Sequence, residues 1–340
     1  MLALRRGVVR QVVTASEPDH GVAELVVEIG AEMRPAYADV GLVGPVEPGD
    51  EVVVNIEAVE LKLGSGGQDV VLVNLTQGLS GLADPSMHVM KLNYSPLQHG
   101  VTPVEAVELE IPVHKPATIF QLHGQLPCVV WSALEQRPGL RIGYVQTAGG
   151  ALPGSYSRTV VELRRKSMLC DHLTAAPAYG GDAETISTIG AIHAGLTERG
   201  WDCAVVGPGP GIIGSATALG HGGMVALDSA HAALSLGCET IVVARASMAD
   251  PRERHRGISH HTETVLELLL KPVTLALSHN APPPASINEH RLVTVEVDLD
   301  GYRQSGLPSR TMGRTIDQDP LFFEQALAAG AAMAHALPVA

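Results

Sequence analysis

The stretch that decides the fold reads CAVVGPGPGIIGS and covers residues 203–215. The apolar run from Cys203 to Val206 has the length of a short buried strand, and the glycines and prolines after it predict a tight loop. A helical pattern follows and is closed by Gly237, since glycine readily adopts the left-handed conformation that ends many helices. A buried strand, a Gly-rich loop and a helix in this order are typical of one unit of a parallel α/β sheet.

The same alternation continues on both sides of this unit. Strands are predicted at residues 141–147, 173–179, 203–206, 240–244, 273–278 and 292–297, and helices at 156–168, 182–200, 224–236, 262–270 and 321–336. We expect Asp182 to cap the helix that it begins. Repeated strand–helix alternation predicts a Rossmann-like, doubly wound and mostly parallel sheet, which we assign to residues 113–340.

The first third of the chain has a different pattern. Runs of β-branched residues are separated by Gly and Pro turns, such as VEPGD at residues 46–50. Short strands joined by close turns predict a small antiparallel β-barrel or sandwich. We therefore expect an N-terminal β domain at residues 1–112.

Composition excludes several classes of protein. Of the 340 residues, 45% are hydrophobic and 17% are charged. The hydrophobic share is enough for a packed core, so a mainly disordered chain is excluded. We expect no membrane association, because no apolar run reaches the roughly 20 residues that span a bilayer. We expect no signal peptide, because no apolar h-region follows the three arginines near the start. Residues 1–115 hold 7 basic and 16 acidic residues, which argues against nucleic-acid binding. Four widely spaced cysteines predict reduced thiols and a cytoplasmic location, and a homo-oligomer is left open.

The Gly-rich loop is the first candidate site. Its backbone could approach an anion closely at the sheet edge where α/β folds bind ligands. The residues concerned are Gly207, Gly209, Gly211, Gly214 and Ser215. Three of the glycines satisfy G-x-G-x-x-G, but two prolines lack N–H donors, and Arg245 stands where the dinucleotide fingerprint has an acidic residue. A tight packing turn is an equal alternative to anion binding, and NAD(P) binding is less favoured, although an arginine there could meet a 2′-phosphate.

The second candidate site is the segment DPRERHRGISHH at residues 250–261. Ser259 is predicted to cap the next helix, so that two histidines fall in a first turn whose dipole favours neutral imidazole. The predicted proton carriers are His255, His260 and His261, with Glu263 or Asp250 orienting one ring. The predicted anion-binding side chains are Arg252, Arg254 and Arg256. The alternative is a solvated loop whose charges pair with one another.

A metal site is a weaker interpretation of the same segment. The three histidines do not fit H-E-x-x-H, and adjacent helix residues point about 100° apart. We therefore expect at most one of His260 and His261 to bind a given ion, and we predict no metal.

Two further loops fall at the same predicted edge. The first contains Gly149, Gly150 and Ser155, and the second contains Gly180-Gly181-Asp182. No G-x-S-x-G motif is present, which disfavours a serine hydrolase of the standard type. We expect all four loops to converge on one cleft.

Three segments resemble an uncharacterised bacterial family, the domain-of-unknown-function family DUF3866. They are MHVMKLNYSPLQ at residues 87–98, the loop at 207–214, and residues 250–262. The resemblance covers nearly the whole chain and implies no activity, cofactor or catalytic residue.

The residues together predict an enzyme that acts on a small anionic molecule, phosphorylated metabolites included, by histidine acid–base chemistry. A transferase or hydrolase is favoured over an oxidoreductase, and no cofactor is identified. The alternatives are a non-catalytic binding or regulatory protein, which would use the same pocket, and an NAD(P)-binding oxidoreductase.

Overall fold

The chain divides into two compact units, residues 1–102 and residues 103–340. The structure is a computed structural model and describes residues 2–14, 21–63, 66–285 and 287–338. The sequence pattern had placed the division after residue 112. Within the described residues, no helix is long and apolar enough to cross a bilayer.

The first unit contains a closed five-stranded barrel. Its elements are β1 (Leu4–Thr14), β2 (Val22–Ile29), β3 (Glu32–Asp39), α1 (Val40–Val43), β4 (Glu51–Asn55), α2 (Glu57–Glu60), β5 (Asp69–Asn74), β6 (Val89–Lys91) and β7 (His99–Val101). The barrel order is β1-β2-β3-β5-β4, and every pair is antiparallel except β3 with β5. Alternate residues such as Leu25, Val27 and Val52 fill the interior, as expected of a small barrel.

The second unit is built on an eight-stranded sheet. Its strands are β8 (Pro116–Ile119), β9 (Ile142–Thr147), β10 (Asp171–Ala175), β11 (Ala183–Thr185), β12 (Cys203–Pro208), β13 (Glu239–Val243), β16 (Thr274–Ser278) and β17 (Arg291–Val295). The order is β11-β10-β9-β12-β8-β13-β16-β17, with every pair parallel. Two-residue strands form separate ribbons: β14 (Ala246–Ser247) with β15 (Gly257–Ile258), and β18 (Arg310–Thr311) with β19 (Arg314–Thr315).

Helices cover both faces of this sheet. They are α3 (Leu126–Gln136), α4 (Arg158–Arg165), α5 (Thr188–Thr197), α6 (Val225–Ser235), α7 (His260–Leu268), α8 (Leu299–Gln304) and α9 (Pro320–His335). In β12, Val205 packs in the core cluster of α3 and α9, whereas Ala204 and Val206 pack in the cluster of α5 and α6. A strand buried on both faces reads as a continuous apolar run, which is why β12 was recognisable in the sequence. The predicted Rossmann-like α/β fold is confirmed.

Three elements differ from the sequence predictions. The short central strand β8 and helix α3 were overlooked, so the strand at 141–147 is not the first of the sheet. The helix predicted from Asp182 begins instead at Thr188, where Ser187 caps it. The Asp182 carboxylate forms an ion pair with Arg164 at 3.0 Å, and the residues after it form the edge strand β11.

The strands are added first on one side of β8 and then on the other. Strands β9, β10, β11 and β12 lie on the first side, with β12 next to β8. Strands β13, β16 and β17 then extend the sheet on the second side. In open α/β sheets, ligands bind outside the carboxyl ends of the strands at such a switch point. The loops after β12, β8 and β13 therefore mark the place to look for a site.

Candidate functional site

Two of the Gly-rich loops pack directly against each other. Gly150 pairs with Ile212 in an antiparallel bridge, and the Ala151 N–H donates to the Gly211 carbonyl at 2.9 Å. A Cβ atom on Gly150 would lie 2.5 Å from the carbonyl oxygen of Gly209. Contact between the two loops thus accounts for glycine at these positions, whether or not an anion binds there.

The remaining members of the loop after β12 are also constrained by packing. Gly207 lies against Phe120, where a Cβ atom would meet the ring at 2.5 Å. Gly214 pairs with His221, and the Ser215 N–H donates to the Gly220 carbonyl at 2.6 Å. Helix α6 begins only after residue 224, so these glycines do not open a helix as a dinucleotide fingerprint would require.

We expect Gly149→Ala to destabilise this arrangement. Gly149 has a φ of 96°, and a Cβ atom there would lie 2.3 Å from the Gly222 carbonyl oxygen. The left-handed backbone and the clash together should lower the free energy of unfolding by about 2–4 kcal/mol in a denaturant titration. Gly139→Ala is the control, because Gly139 has a φ of 87° but nothing within 4 Å of its Cβ position. If both variants lost the same free energy of unfolding, the contact between Gly149 and Gly222 would not be what excludes a side chain at residue 149.

The loops at residues 149–155 and 179–182 are neighbours as well. The Gly154 N–H donates to the Tyr179 carbonyl at 2.8 Å, and a Cβ atom on Gly180 would lie 2.9 Å from Ser155 Oγ. Helix α4 is capped by Ser157 rather than by Ser155. Ser155 therefore stands at the junction of these two loops.

The histidine segment folds as its sequence indicates. Ser259 caps α7 and accepts from the His261 N–H at 3.4 Å, which places His260 and His261 in the first turn. His255 ends a short 3-10 turn, and its Nδ1 lies 2.8 Å from Ser259 Oγ. One nitrogen from each of the three rings lies within 4.8 Å of the other two. The segment therefore gathers its three imidazoles at one point.

The rings of His260 and His261 lie close together, although adjacent helix residues point about 100° apart. Their ring centroids are 4.0 Å apart, and the Nε2 atoms of both rings are buried without a hydrogen-bond partner in the part of the chain that the structure describes. The two side chains are long enough to bring their rings together although their Cα–Cβ bonds diverge. The geometry thus leaves a common ligand open.

Burial and positive charge keep these imidazoles neutral at pH 7. Burial, followed by the charge of Arg245, lowers the pKa of His255 to about 3. Burial, followed by interaction with His221, lowers the pKa of His261 to about 3. The pKa of His260 is lowered by burial and then by Arg254. Neutral imidazole can accept a proton, so the rings are in the form that a general base requires.

Arg245, just after β13, is a buried cation without a carboxylate partner among the described residues. It is 4% exposed, its Nη1 donates to His261 Nδ1 at 3.0 Å, and its Nη2 lies 3.9 Å from Met312 Sδ. Burial and the nearby charge of Arg252 lower its pKa to about 10, so it is protonated at pH 7. A buried charge is costly unless it is paired, and the missing partner here is an anion.

The three arginines of the predicted segment have different surroundings. Arg252 forms an ion pair with the buried Asp250 at 2.8 Å, and Arg314 approaches the same carboxylate at 3.5 Å. These contacts, led by the hydrogen bond from Arg252, hold the pKa of Asp250 well below its usual range. Arg254 and Arg256 are exposed and form no ion pair with described residues. Arg252 is therefore engaged within the protein, whereas the other two are available.

The orienting role expected of a carboxylate is not seen. Asp250 is occupied by its arginines, and Glu263 Oε1 accepts from the Ala285 N–H at 3.1 Å. Neither carboxylate is hydrogen-bonded to an imidazole in the described ranges. His261 is oriented by the Arg245 guanidinium instead.

His221 belongs to the site and was missed in the sequence. Its ring stacks on His261 with centroids 4.0 Å apart, and its Nδ1 accepts from the Gly223 N–H at 2.9 Å. Because Gly214 pairs with His221, this ring connects the Gly-rich loop to the histidine segment. The only sequence signal was a histidine flanked by glycines just before a helix.

A second group of polar rings lies at the neighbouring strands. His123 Nε2 lies 2.7 Å from Ser157 Oγ, and the buried His172 ring stacks on Tyr144 with centroids 4.9 Å apart. His172 Nε2 lies 3.2 Å from Gln146 Oε1. Burial lowers the pKa of His172 to about 3. This ring is neutral and fixed in place by its neighbours.

The chain matches the family described as "Protein of unknown function (DUF3866)" over residues 36–330. It belongs to DUF3866. The match includes the 87–98, 207–214 and 250–262 segments that carried the resemblance. No curated protein and no solved structure matches the chain. The DUF3866 description assigns no activity, so the function of this member has to be inferred from the chemistry of its side chains.

Proposed function

We propose that residues 103–340 form an enzyme that binds a small anionic molecule beside Arg245 and moves a proton through an imidazole of the histidine segment. The observation that carries the proposal is the buried guanidinium of Arg245, which has no carboxylate partner among the described residues, next to imidazole nitrogens that likewise have no partner there. An anion would form charge-assisted hydrogen bonds with the guanidinium and offset the cost of its burial.

His260 is the best-placed proton carrier. The residue is partly exposed, whereas His255 and His261 are buried, although its Nε2 atom is itself covered. Its Nε2 makes no hydrogen bond with the described residues. A general acid or base must come within hydrogen-bond reach of the reacting proton, and an imidazole nitrogen with no competing partner meets that need.

A metal-dependent enzyme is the second candidate, because three imidazole nitrogens lie within 4.8 Å of one another. The contact from Arg245 argues against it. A guanidinium only donates, so His261 Nδ1 carries no proton and the neutral ring keeps its proton on Nε2. A metal ligand needs a lone pair at that atom, and the local arginine charge opposes a cation.

An NAD(P)-binding oxidoreductase and a regulatory protein have less support. NAD(P) binding needs glycines that open a helix, and here the loop continues to residue 224. Group transfer or hydrolysis is therefore favoured over hydride transfer. A regulatory protein would use the same anion pocket but would not need a neutral proton carrier, so a measurement of turnover distinguishes it from an enzyme.

The proposal places the enzyme in the cytoplasm. The four cysteines are not joined in disulfides, and burial raises the pKa of Cys128 and of Cys238 to about 12. Buried, protonated thiols are typical of a reducing compartment. We propose no nucleic-acid partner, and self-association is left open.

The proposal can be tested with freshly purified protein and a panel of anionic metabolites. We expect native mass spectrometry to show a co-purified anion, or thermal-shift assays to show stabilisation by one class of anion in the panel. The stabilising compound should then be converted to product. A ligand that binds and is never turned over would favour a regulatory protein, and indifference to every anion would contradict the proposal.

A further inference from the structure

We propose that the site is built for a phosphoryl dianion, one oxygen of which sits among the rings of His255, His260 and His261 while others meet Arg245. This inference rests on the proposed function and names the substrate class: a phosphate monoester, or free phosphate with the same chemistry. The position of the proton on His261 and the positive charge around the rings support it.

The charge around the rings is positive. Arg252 and Arg314 are matched by the buried carboxylates of Asp250 and Asp319. Arg245 and Arg254 form no ion pair within the described ranges. Both act electrostatically on His260, and the Glu263 carboxylate acts in the opposite direction. A phosphate monoester carries a charge of about −1.5 to −2 at pH 7, more than a carboxylate does, and is attracted more strongly to this region.

The proton on His261 points to an acceptor. Arg245 donates to Nδ1, which fixes the neutral ring as the Nε2–H form. That N–H is buried and finds no partner among the described residues, and leaving a buried donor unpaired costs free energy. A phosphoryl oxygen supplies the acceptor that this donor lacks.

The spacing of the rings accommodates an oxygen atom. A tetrahedral metal with bonds of about 2.1 Å holds its nitrogen ligands about 3.4 Å apart. An oxygen that accepts three hydrogen bonds of about 2.8 Å holds the donor atoms about 4.6 Å apart. The three nitrogens here lie within 4.8 Å of one another, an upper limit that covers both separations. The Nε2 atoms of His260 and His261 are covered in this arrangement, so an entering oxygen has to displace neighbouring atoms.

The test is calorimetric titration of the full chain, dialysed against EDTA, with inorganic phosphate, phenyl phosphate and acetate at constant ionic strength. We expect a phosphate species to bind at least about tenfold more tightly than acetate. Tighter binding of phenyl phosphate identifies an ester substrate, and equal or weaker binding identifies free phosphate. Constant salt matters because surface charges alone would attract any anion.

Variants separate the site from general electrostatics. Arg245→Met should weaken phosphate binding by tenfold or more, and Arg254→Gln by a smaller factor. Arg291→Gln is the matched control. Arg291 is exposed and begins β17, so it lies at the amino ends of the parallel strands, whereas Arg245 follows the carboxyl end of β13. If Arg245→Met fails to fold, Arg254→Gln and the wild-type protein still decide the question. In the wild type, ¹⁵N-histidine NMR should show His261 as the Nε2–H form, with a shift on adding phosphate.

Each contrary result has a distinct meaning. Acetate binding as tightly as phosphate, with sensitivity to Arg245, would overturn the phosphoryl assignment and leave the anion-binding enzyme standing. The Nδ1–H form of His261 would remove the proton argument and overturn the assignment too. If no anion binds and Co²⁺ binds one to one in a manner abolished by His260→Gln, both this inference and the proposed function fail in favour of a metal centre.

Discussion

His260→Gln is expected to reduce turnover of the anionic substrate by about 10²–10⁴-fold, the usual contribution of a general acid or base. Glutamine retains polarity and similar length but cannot transfer a proton near neutral pH. The loss should fall mainly on kcat, because proton transfer matters in the transition state, while Arg245 still binds the ground state. Steady-state kinetics on the substrate found in the anion panel provides the measurement.

The fold should survive this substitution, because the His260 Nε2 holds no partner among the described residues. Equal thermal midpoints for variant and wild type would establish that the fold is retained. His335→Gln is a matched control, since His335 is exposed in the last turn of α9. An unchanged kcat in His260→Gln would remove this residue from the mechanism and direct attention to His255 and His261.

Acidification from pH 7 to pH 5 is expected to destabilise the protein by about 2 kcal/mol through His172 alone. The folded-state pKa of this ring is about 3, below its ordinary value of 6.5, because burial disfavours the imidazolium. Between these two values the unfolded chain binds the proton and the folded chain does not. Stability is therefore complete above about pH 6.5 and falls as the pH drops towards 3. The depressed pKa values of His255 and His261 act in the same direction.

Denaturant titrations at a series of pH values measure this effect. In His172→Gln, the slope of unfolding free energy against pH between 5 and 6 should be smaller than in the wild type by about 1.2 kcal/mol per pH unit. His335→Gln, at an exposed position, is the matched control. A wild-type slope in His172→Gln would mean that the ring is not kept neutral by its burial.

Local pattern was enough to predict most of the α/β unit. The apolar run of β12, the serine cap before α7 and the Ala-rich helix α9 each follow from residues that are close in sequence. The strand β8 escaped notice because four residues carry little periodicity and its place in the sheet depends on pairing with β12 and β13. Helix α5 was started too early because Asp182 looks like a cap until its ion pair with Arg164 is known.

The residue types of the candidate site could be predicted from the sequence, but their arrangement in space could not. The histidines of residues 250–261 were recognisable because three of them lie within seven residues. The stacking of His221 on His261 joins positions forty residues apart, and no local rule signals it. Arg245 was noticed only as the wrong residue for a dinucleotide site, since its lack of a carboxylate partner is a property of tertiary packing. Asp250 was expected to orient an imidazole because the sequence does not show that its carboxylate forms an ion pair with Arg252.

The central position of β8 has a consequence for how the chain is made. The barrel strands end at residue 74, so a growing chain can complete the barrel soon after they leave the ribosome. Strand β8 ends at residue 119, but its two partner strands, β12 and β13, end at residues 208 and 243. Strand β8 therefore cannot complete its hydrogen bonds until those residues have been synthesised. Pairing between distant segments is slow, and unpaired strands are prone to aggregation meanwhile. The nascent protein therefore carries a finished barrel and an unprotected middle strand until residue 243 has been synthesised.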